Sequence, residues 1–326
     1  MQYTHIMNDA RVLITGAAGF LGSHLADTLL DQGCEVVGVD DFSTSSERSA
    51  HHLALLKRKK YSFRKVNVAE TDALLHAVGS DYSHVFNMAC PAAPPAYMRM
   101  PMHTLMTSVI GVASCVAIAA KSGGKIIHAS TSEIYGDPQL SPQTESYWGN
   151  ANSWGPRSCY DEGKRAAESI LWIAKSQGLD VRLARIFNTY GPRMMIGDGR
   201  VVTEFIKAIL ENRPLPIHGS GEQTRSLCFV SDLVSGLIKL AELKSPPSTP
   251  VNLGNPREVT IKELGTIIQS VTGHTVGFVS LGRPADDPTN RKPDISLAVK
   301  LLDWSPRVSL EDGLRSTFVW YENNAS

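Results

Sequence analysis

The sequence has no surplus of charge: 32 lysines and arginines meet 32 aspartates and glutamates, for a formal net charge of zero. A nucleic-acid binder would show a basic stripe, so a polyanion partner is not expected. Cysteine is sparse. Cys34, Cys90, Cys115, Cys159 and Cys228 are odd in number, scattered, and include no Cys-x-x-Cys pair. Free thiols in a reducing compartment are the leading reading, ahead of a disulfide or metal role. No run approaches the roughly 18 apolar residues that a membrane span needs. Residues 1–10 are polar and lack the apolar core of a secretion signal. Repeats and low-complexity tails are absent, and Pro246-Pro247-Ser248-Thr249-Pro250 is a loop too short to link domains. These absences lead to the expectation of a soluble cytoplasmic protein with no metal, nucleic-acid partner or membrane anchor.

What is present is ordinary globular material, 42% hydrophobic and 20% charged over 326 residues, enough for one large or two closely joined domains. Arg11-Val12-Leu13-Ile14-Thr15 reads as a strand feeding into Gly16-Ala17-Ala18-Gly19-Phe20-Leu21-Gly22. Phe20, Leu21, Leu25, Leu29 and Leu30 then recur at helical spacing, and 35–39 reads as a second strand ending at Asp40. Gly16, Gly19 and Gly22, with a helix N-terminus at Phe20 and Leu21, suit the pyrophosphate of a dinucleotide. Asp40 would accept hydrogen bonds from the adenosine ribose and repel a 2′-phosphate, which favours NAD over NADP. Further strands are expected at 62–66, 84–89, 125–129 and 181–186, with a helix over 104–121. The small Ala89 closes the fourth strand next to the cofactor, and Asn67 and Val68, just past the third, are further candidate cofactor-binding residues.

Tyr160 and Lys164, four apart on one predicted helix, can point into the same site. A nearby ammonium favours the phenolate and would make a tyrosine useful as a base near neutral pH. Ser130-Thr131-Ser132-Glu133 lies at the C-terminal edge of the fifth strand, where parallel sheets bind ligands. Beyond Phe187 the alternation lapses. The fold class expected is α/β, a Rossmann-type doubly wound parallel sheet with a smaller C-terminal lobe. Residues 1–187 form the NAD-binding domain, segments around 226–255 return to it, and 188–326 mainly bind substrate.

Several segments together resemble the extended short-chain dehydrogenase/reductase family, and within it the UDP-glucuronate decarboxylase branch. They are Asn87-Met88-Ala89-Cys90-Pro91-Ala92-Ala93-Pro94, Ser130-Thr131-Ser132-Glu133-Ile134-Tyr135-Gly136, Ser158-Cys159-Tyr160-Asp161-Glu162-Gly163-Lys164-Arg165, Asn188-Thr189-Tyr190-Gly191-Pro192-Arg193, Gln223-Thr224-Arg225-Ser226 and Arg291-Lys292-Pro293-Asp294. The glycine loop and the Tyr/Lys pair belong to the whole superfamily. Thr-Ser-Glu, Ser-Cys-Tyr-Asp-Glu-Gly-Lys-Arg and Arg-Lys-Pro-Asp are more specific to the branch.

The resemblance implies a catalytic set of Thr131, Ser132, Glu133, Tyr160, Lys164 and Arg291. It implies a UDP-sugar substrate, UDP-glucuronate, held by Asn188, Arg193, Val201, Val202, Arg225 and Arg291, with Tyr97 either facing the sugar or serving as a plain loop aromatic. The implied reaction oxidises C4 with NAD, expels CO2 and reduces the ketone to give UDP-xylose. Alternatives are a UDP-glucuronate 4-epimerase or an enzyme that releases the 4-keto pentose. Ser132 stands where 4,6-dehydratases carry an aspartate for their leaving hydroxyl, which argues against that branch. Asn67, Ala93, Ser108 and Trp154 depart from common family residues. A homodimer is also implied, paired through the helix after Ser108 and the helix of Tyr160. Val109, Val112, Val116 and Ile118 are consistent with that pairing and equally with packing on a sheet.

Overall fold

A computed structural model describes residues 7, 9–282 and 290–324. Its centre is a sheet whose strands are nearly continuous runs of Val, Ile, Leu and Ala, the pattern of strands covered on both faces. Six strands are β1 (Arg11–Thr15), β2 (Glu35–Asp40), β3 (Tyr61–Lys65), β4 (His84–Asn87), β5 (Lys125–Thr131) and β6 (Val181–Ile186). With Val251–Leu253 the order is Val251–Leu253, β6, β5, β4, β1, β2, β3, and every pairing is parallel. The order reverses between β1 and β4. Ligands of doubly wound sheets bind in the crevice at the carboxyl ends of such a pair.

Each face of the sheet is buried by helices. Phe20–Asp31, Val230–Glu242 and Ser296–Leu302 cover one side, closed by the nearly buried Trp304. Thr71–Val78, Val112–Ser122 and Ser158–Ser176 cover the other. The segment after β6 therefore comes back under the sheet as a helix and an edge strand, and again at Ser296–Leu302. A separate apolar cluster joins Val201–Leu210, Leu215–His218, Ile261–Thr272 and Leu310–Asn324. Small two-stranded pairings stiffen this second region: Leu215–His218 runs parallel to Phe278–Leu281, and Thr224–Ser226 antiparallel to Glu258–Thr260.

The helix expected over 104–121 is longer and less regular. It starts at Pro101, a residue suited to a first helical turn, widens to a π turn at Thr107–Gly111 and continues as Val112–Ser122. Contrary to the reading that no run approaches a membrane span, the 22 residues Pro101–Ser122 are long and apolar enough to cross one by composition. Here that apolarity has another use: Val112, Cys115, Ile118 and Ala119 are buried on the sheet. Val112 and Ile118 are thus core residues and not a free pairing face. All five cysteines are unpaired thiols, three of them buried.

Candidate active site

The site is assembled where β1, β4 and β5 end. The turn after β1 needs glycine for steric reasons. A Cβ on Gly16, whose φ is +70°, would lie 2.9 Å from the Ala89 backbone, and one on Gly22 would lie 2.1 Å from the Gly16 carbonyl oxygen. The loop consequently sits against the end of β4 at Ala89. Gly19 is the N-cap of the following helix and has no side chain with which to cap it. The open N–H groups of the first turn, at Phe20, Leu21 and Gly22, are left for an anion. Arg193 is ion-paired to Asp27 of the same helix at 2.6 Å, and the Arg200 guanidinium lies 5.9 Å from the Phe20 ring. Two guanidinium groups, each paired to an aspartate, therefore flank the loop. Arg193, grouped with the substrate in the sequence, is thus tied to the helix that follows the glycine loop.

Asp40 ends β2 and accepts from the Phe42 N–H and Ser45 hydroxyl on Oδ1, and from the Ala18 N–H on Oδ2. Oδ2 keeps lone-pair capacity for a further donor. Burial raises its pKa, against those hydrogen bonds. Asn67 caps its own turn, accepting from the Ala69 N–H at 2.9 Å, and Val68 packs on Gly111 of the π turn. The glycine cradle, the uncapped helix start and the held carboxylate together fit a dinucleotide.

β5 delivers the second half of the site. Thr131 ends the strand, its hydroxyl accepts from the Glu133 N–H at 3.1 Å, and Ser132–Tyr135 form a 3₁₀ turn. Tyr160 and Lys164 project from Ser158–Ser176, both nearly fully buried. The Lys164 ammonium donates to the Ala129 carbonyl at 2.8 Å and lies 5.9 Å from the centre of the Tyr160 ring. This corrects the simple expectation for the pair. Burial foremost, then the Cys90 thiol, drives the Tyr160 phenol well above its ordinary pKa, and the bond with Thr131 only partly opposes them. Burial likewise lowers Lys164. Spacing brought the two together, but on its own it does not make the tyrosine a base.

Glu133 lies at the centre of a charge cluster. Its Oε2 accepts from Arg157 Nη2 at 2.6 Å and from Arg291 Nη2 at 3.2 Å. Arg291, 1% exposed, is anchored by donating Nη1 to the carbonyls of Ser132 and Gly136 at 3.0 and 2.9 Å. Burial by itself would raise Glu133, but Arg291, Arg157 and Arg225 outweigh it and hold the carboxyl below its ordinary pKa. Arg225 comes from Thr224–Ser226 in the second region and Arg291 from the chain beyond it, so both reach across to the turn after β5. Ser132 contributes its backbone carbonyl here.

Tyr97 stacks on Tyr160, with ring centres 4.9 Å apart and planes 7° apart, and its buried hydroxyl has no hydrogen-bond partner. Such an orphan donor beside a reactive tyrosine suits a polar ligand. Asn188 follows β6, its carbonyl accepting from the Cys228 N–H at 2.9 Å. Val201 and Val202 begin their helix, Val202 in the second core. Among the departures, Ala93 is a helix N-cap without a capping hydroxyl, and Ser108 is buried where Gly163 of the Tyr160 helix approaches. Trp154 is 95% exposed, on a loop whose neighbours line the site.

Two residues of the cluster escaped the sequence reading. Arg157 and Asp161 lie on the helical face of Tyr160 and Lys164, at spacings of three and four, and that spacing was the available signal. Asp161 is 7% exposed, its Oδ1 has no partner, and burial followed by the charge of Glu133 pushes its pKa up to about 7.

A doubly wound sheet with a glycine cradle at its switch point and a buried Tyr/Lys pair defines a nicotinamide-dependent α/β enzyme. The NAD dependent epimerase/dehydratase family matches residues 12–254, and the chain belongs to it. It is similar to UDP-glucuronic acid decarboxylase 1 of Xenopus tropicalis, 45% identical over 312 residues, 95% of this chain and 72% of the relative. An epimerase of Methanothermobacter thermautotrophicus superposes with a TM-score of 0.90 at 26% identity, covering 100% of this chain and 97% of that one. UDP-glucuronic acid 4-epimerase from Bacillus cereus, in complex with UDP-glucuronic acid and NAD, gives 0.85 at 26%, covering 96% and 99%.

Proposed function

We propose that the protein decarboxylates UDP-glucuronate in an NAD-dependent cycle, through a UDP-4-keto intermediate, to UDP-xylose. The observation that carries this reading is Glu133, held ionised between Arg157 and Arg291 in a buried site beside Tyr160. A carboxylate directed at an anionic sugar is costly unless it acts on it. The 45% identity to a decarboxylase over nearly the whole chain supports the same substrate.

The chemistry follows from where the charges sit. Tyr160 takes the proton of the C4 hydroxyl, with Thr131 bonded to it and Lys164 behind it. Bound NAD would take the C4 hydride and return it, and its positive ring would add the charge that Tyr160 lacks. A ketone at C4 places the substrate carboxylate β to a carbonyl. When CO2 leaves, the electron pair of the C5–C6 bond enters an enolate. Arg291 orients the carboxylate, Glu133 opposes its charge and then hands to C5 a proton that it receives during the turnover, and Tyr160 returns its proton to the C4 oxygen. Arg225, Asn188 and the start of Val201–Leu210 hold the nucleotide diphosphate, arginine through its fork of donors. Residues 188–326 serve mainly as the substrate lobe.

A second reading is favoured by the superposition on a UDP-glucuronic acid 4-epimerase. In that reading the keto sugar turns over before CO2 leaves and Glu133 has no task. Incubation with UDP-glucuronate and catalytic NAD, followed by identification of the sugar and of CO2, separates the two. CO2 and UDP-xylose are expected; UDP-galacturonate without CO2 would establish the epimerase, and a released 4-keto pentose the truncated cycle. The working assembly is a homodimer paired through Pro101–Ser122 and Ser158–Ser176, supported by Ile110, Trp172 and Ile173, exposed at 39%, 69% and 51%.

A further inference from the structure

Decarboxylation consumes a proton: the C5–C6 electron pair leaves as an enolate, and C5 must acquire one H⁺ to become the CH2 of a pentose. Glu133 is the group that would deliver it, but Glu133 is tied to two guanidinium groups. It rests as a carboxylate, so in each turnover it has to receive the proton from a group that holds one at neutral pH.

A cavity of about 220 Å³ lies against Glu133, lined by Glu133, Asp161, Gly136, Asp137, Asn150 and Asn152, with Ala151 beside them. Its floor is buried at Asp161, and the rim residues Asp137, Asn150 and Asn152 are exposed. The space admits several water molecules at about 30 Å³ each. Asp161 is more than nine-tenths buried, faces this space and leaves Oδ1 without a partner. An unsatisfied buried oxygen on a first-turn helix carboxylate normally marks a bound water or a functional group.

We propose that Asp161 is the proton relay of the site: it takes H⁺ from the rim at Asp137, Asn150 and Asn152 and passes it through cavity water to Glu133, which protonates C5. In each turnover the proton of Asp161 passes onto Glu133 and from there to C5, where the enolate pair forms the new C5–H bond and Glu133 is left a carboxylate as before. Bulk solvent then reloads Asp161, so the protons balance with no further reactant. The inference rests on the decarboxylase reading. Asp161 is suited to the task because its pKa is near 7, whereas its neighbour is held low. The groups acting on it are Glu133 and Asp137 from the turn after β5, Arg157, Cys159 and Glu162 from its own helix, Tyr97 from Pro94–Arg99, and Arg291. Asp161 acts through Glu133 and is in this sense a positioning residue for the proton.

The test uses the full-length enzyme with UDP-glucuronate and NAD, comparing wild type with Asp161→Asn and Asp161→Ala. CO2 release, the KM for UDP-glucuronate and thermal melting are followed across pH. The expected result is an unchanged melt near neutral pH or a higher one, a KM within threefold, and a kcat lowered on the order of 10²-fold. The kcat profile of wild type should fall above pH about 7, and that limb should vanish in Asp161→Asn. Formate or imidazole should restore part of the rate in Asp161→Ala. Wild-type kcat and pH profile in Asp161→Asn would overturn the relay, as would a loss with no rescue and an unaltered limb. A wild-type protein that releases no CO2 would overturn the decarboxylase reading first and the relay with it.

Discussion

At the scale of single residues, burial and not spacing sets what each ionisable group does. Asp161 illustrates this. Its folded-state pKa is about 7 against 3.8 in the unfolded chain, so between those values the native state binds the extra proton. Stability is therefore greatest below pH about 4 as far as this group is concerned, and is lost as pH rises toward 7. At about 1.4 kcal/mol per pH unit the loss reaches about 4 kcal/mol. Asp161→Asn removes that slope, so the variant should be more stable than wild type at pH 8 and little changed at pH 4, measured by urea unfolding. A stability gain at pH 4 as large as at pH 8 would contradict the assignment. Tyr160 carries the same lesson. The i, i+4 spacing was legible in the sequence and correctly joined it to Lys164, but the phenol is pushed up by its surroundings, and surroundings are tertiary. Glu133 and Arg291 are 158 residues apart, so their ion pair has no local signature and came only with the family likeness.

At the scale of elements, strand and helix patterns were readable because the sheet is buried on both faces. β1, β2, β5 and β6 fall within two residues of where the apolar runs put them. The helix before β5 was less legible: its start depends on Pro101, and its π turn lies where Ser108 must fit beneath the Tyr160 helix. Arg157 and Asp161 were overlooked because a helical face shows which residues are neighbours and not what faces them. The Tyr160 helix is fixed to the sheet by Glu168, one turn past Lys164. Its carboxylate accepts two bonds from Arg185 on β6, at 3.0 and 2.8 Å, and one from Ser130 on β5 at 2.6 Å. Removing one partner of a largely buried pair leaves the other charge stranded. Glu168→Gln should lower stability by about 3 kcal/mol in chemical denaturation and reduce kcat more than KM, since Lys164 and Tyr160 would lose their footing. A loss below about 0.5 kcal/mol would show that the helix is held by its apolar face alone.

At the scale of the whole molecule, the arrangement explains why the site is split between distant parts of the chain. The sheet and the helices packed on it supply the cofactor cradle and the Tyr/Lys pair, and Arg225 and Arg291 arrive from segments beyond them. Trp172 and Ile173 lie on the outer side of the catalytic helix, exposed although large and apolar. Sedimentation of the proposed dimer should give a dimer at micromolar concentration, and Trp172→Glu should shift it to monomer while the melting temperature changes little. A wild-type monomer would reject the pairing.

Glu133→Gln tests the central claim most directly, because it keeps size and hydrogen bonding at the one carboxylate assigned to the fate of the keto sugar. The measurement is CO2 release from UDP-glucuronate with NAD present, alongside NADH absorbance and substrate affinity. UDP-glucuronate should still bind, NADH should accumulate, and CO2 release should fall by roughly 10²–10⁴-fold. CO2 release at the wild-type rate would make Glu133 a structural residue and contradict the account.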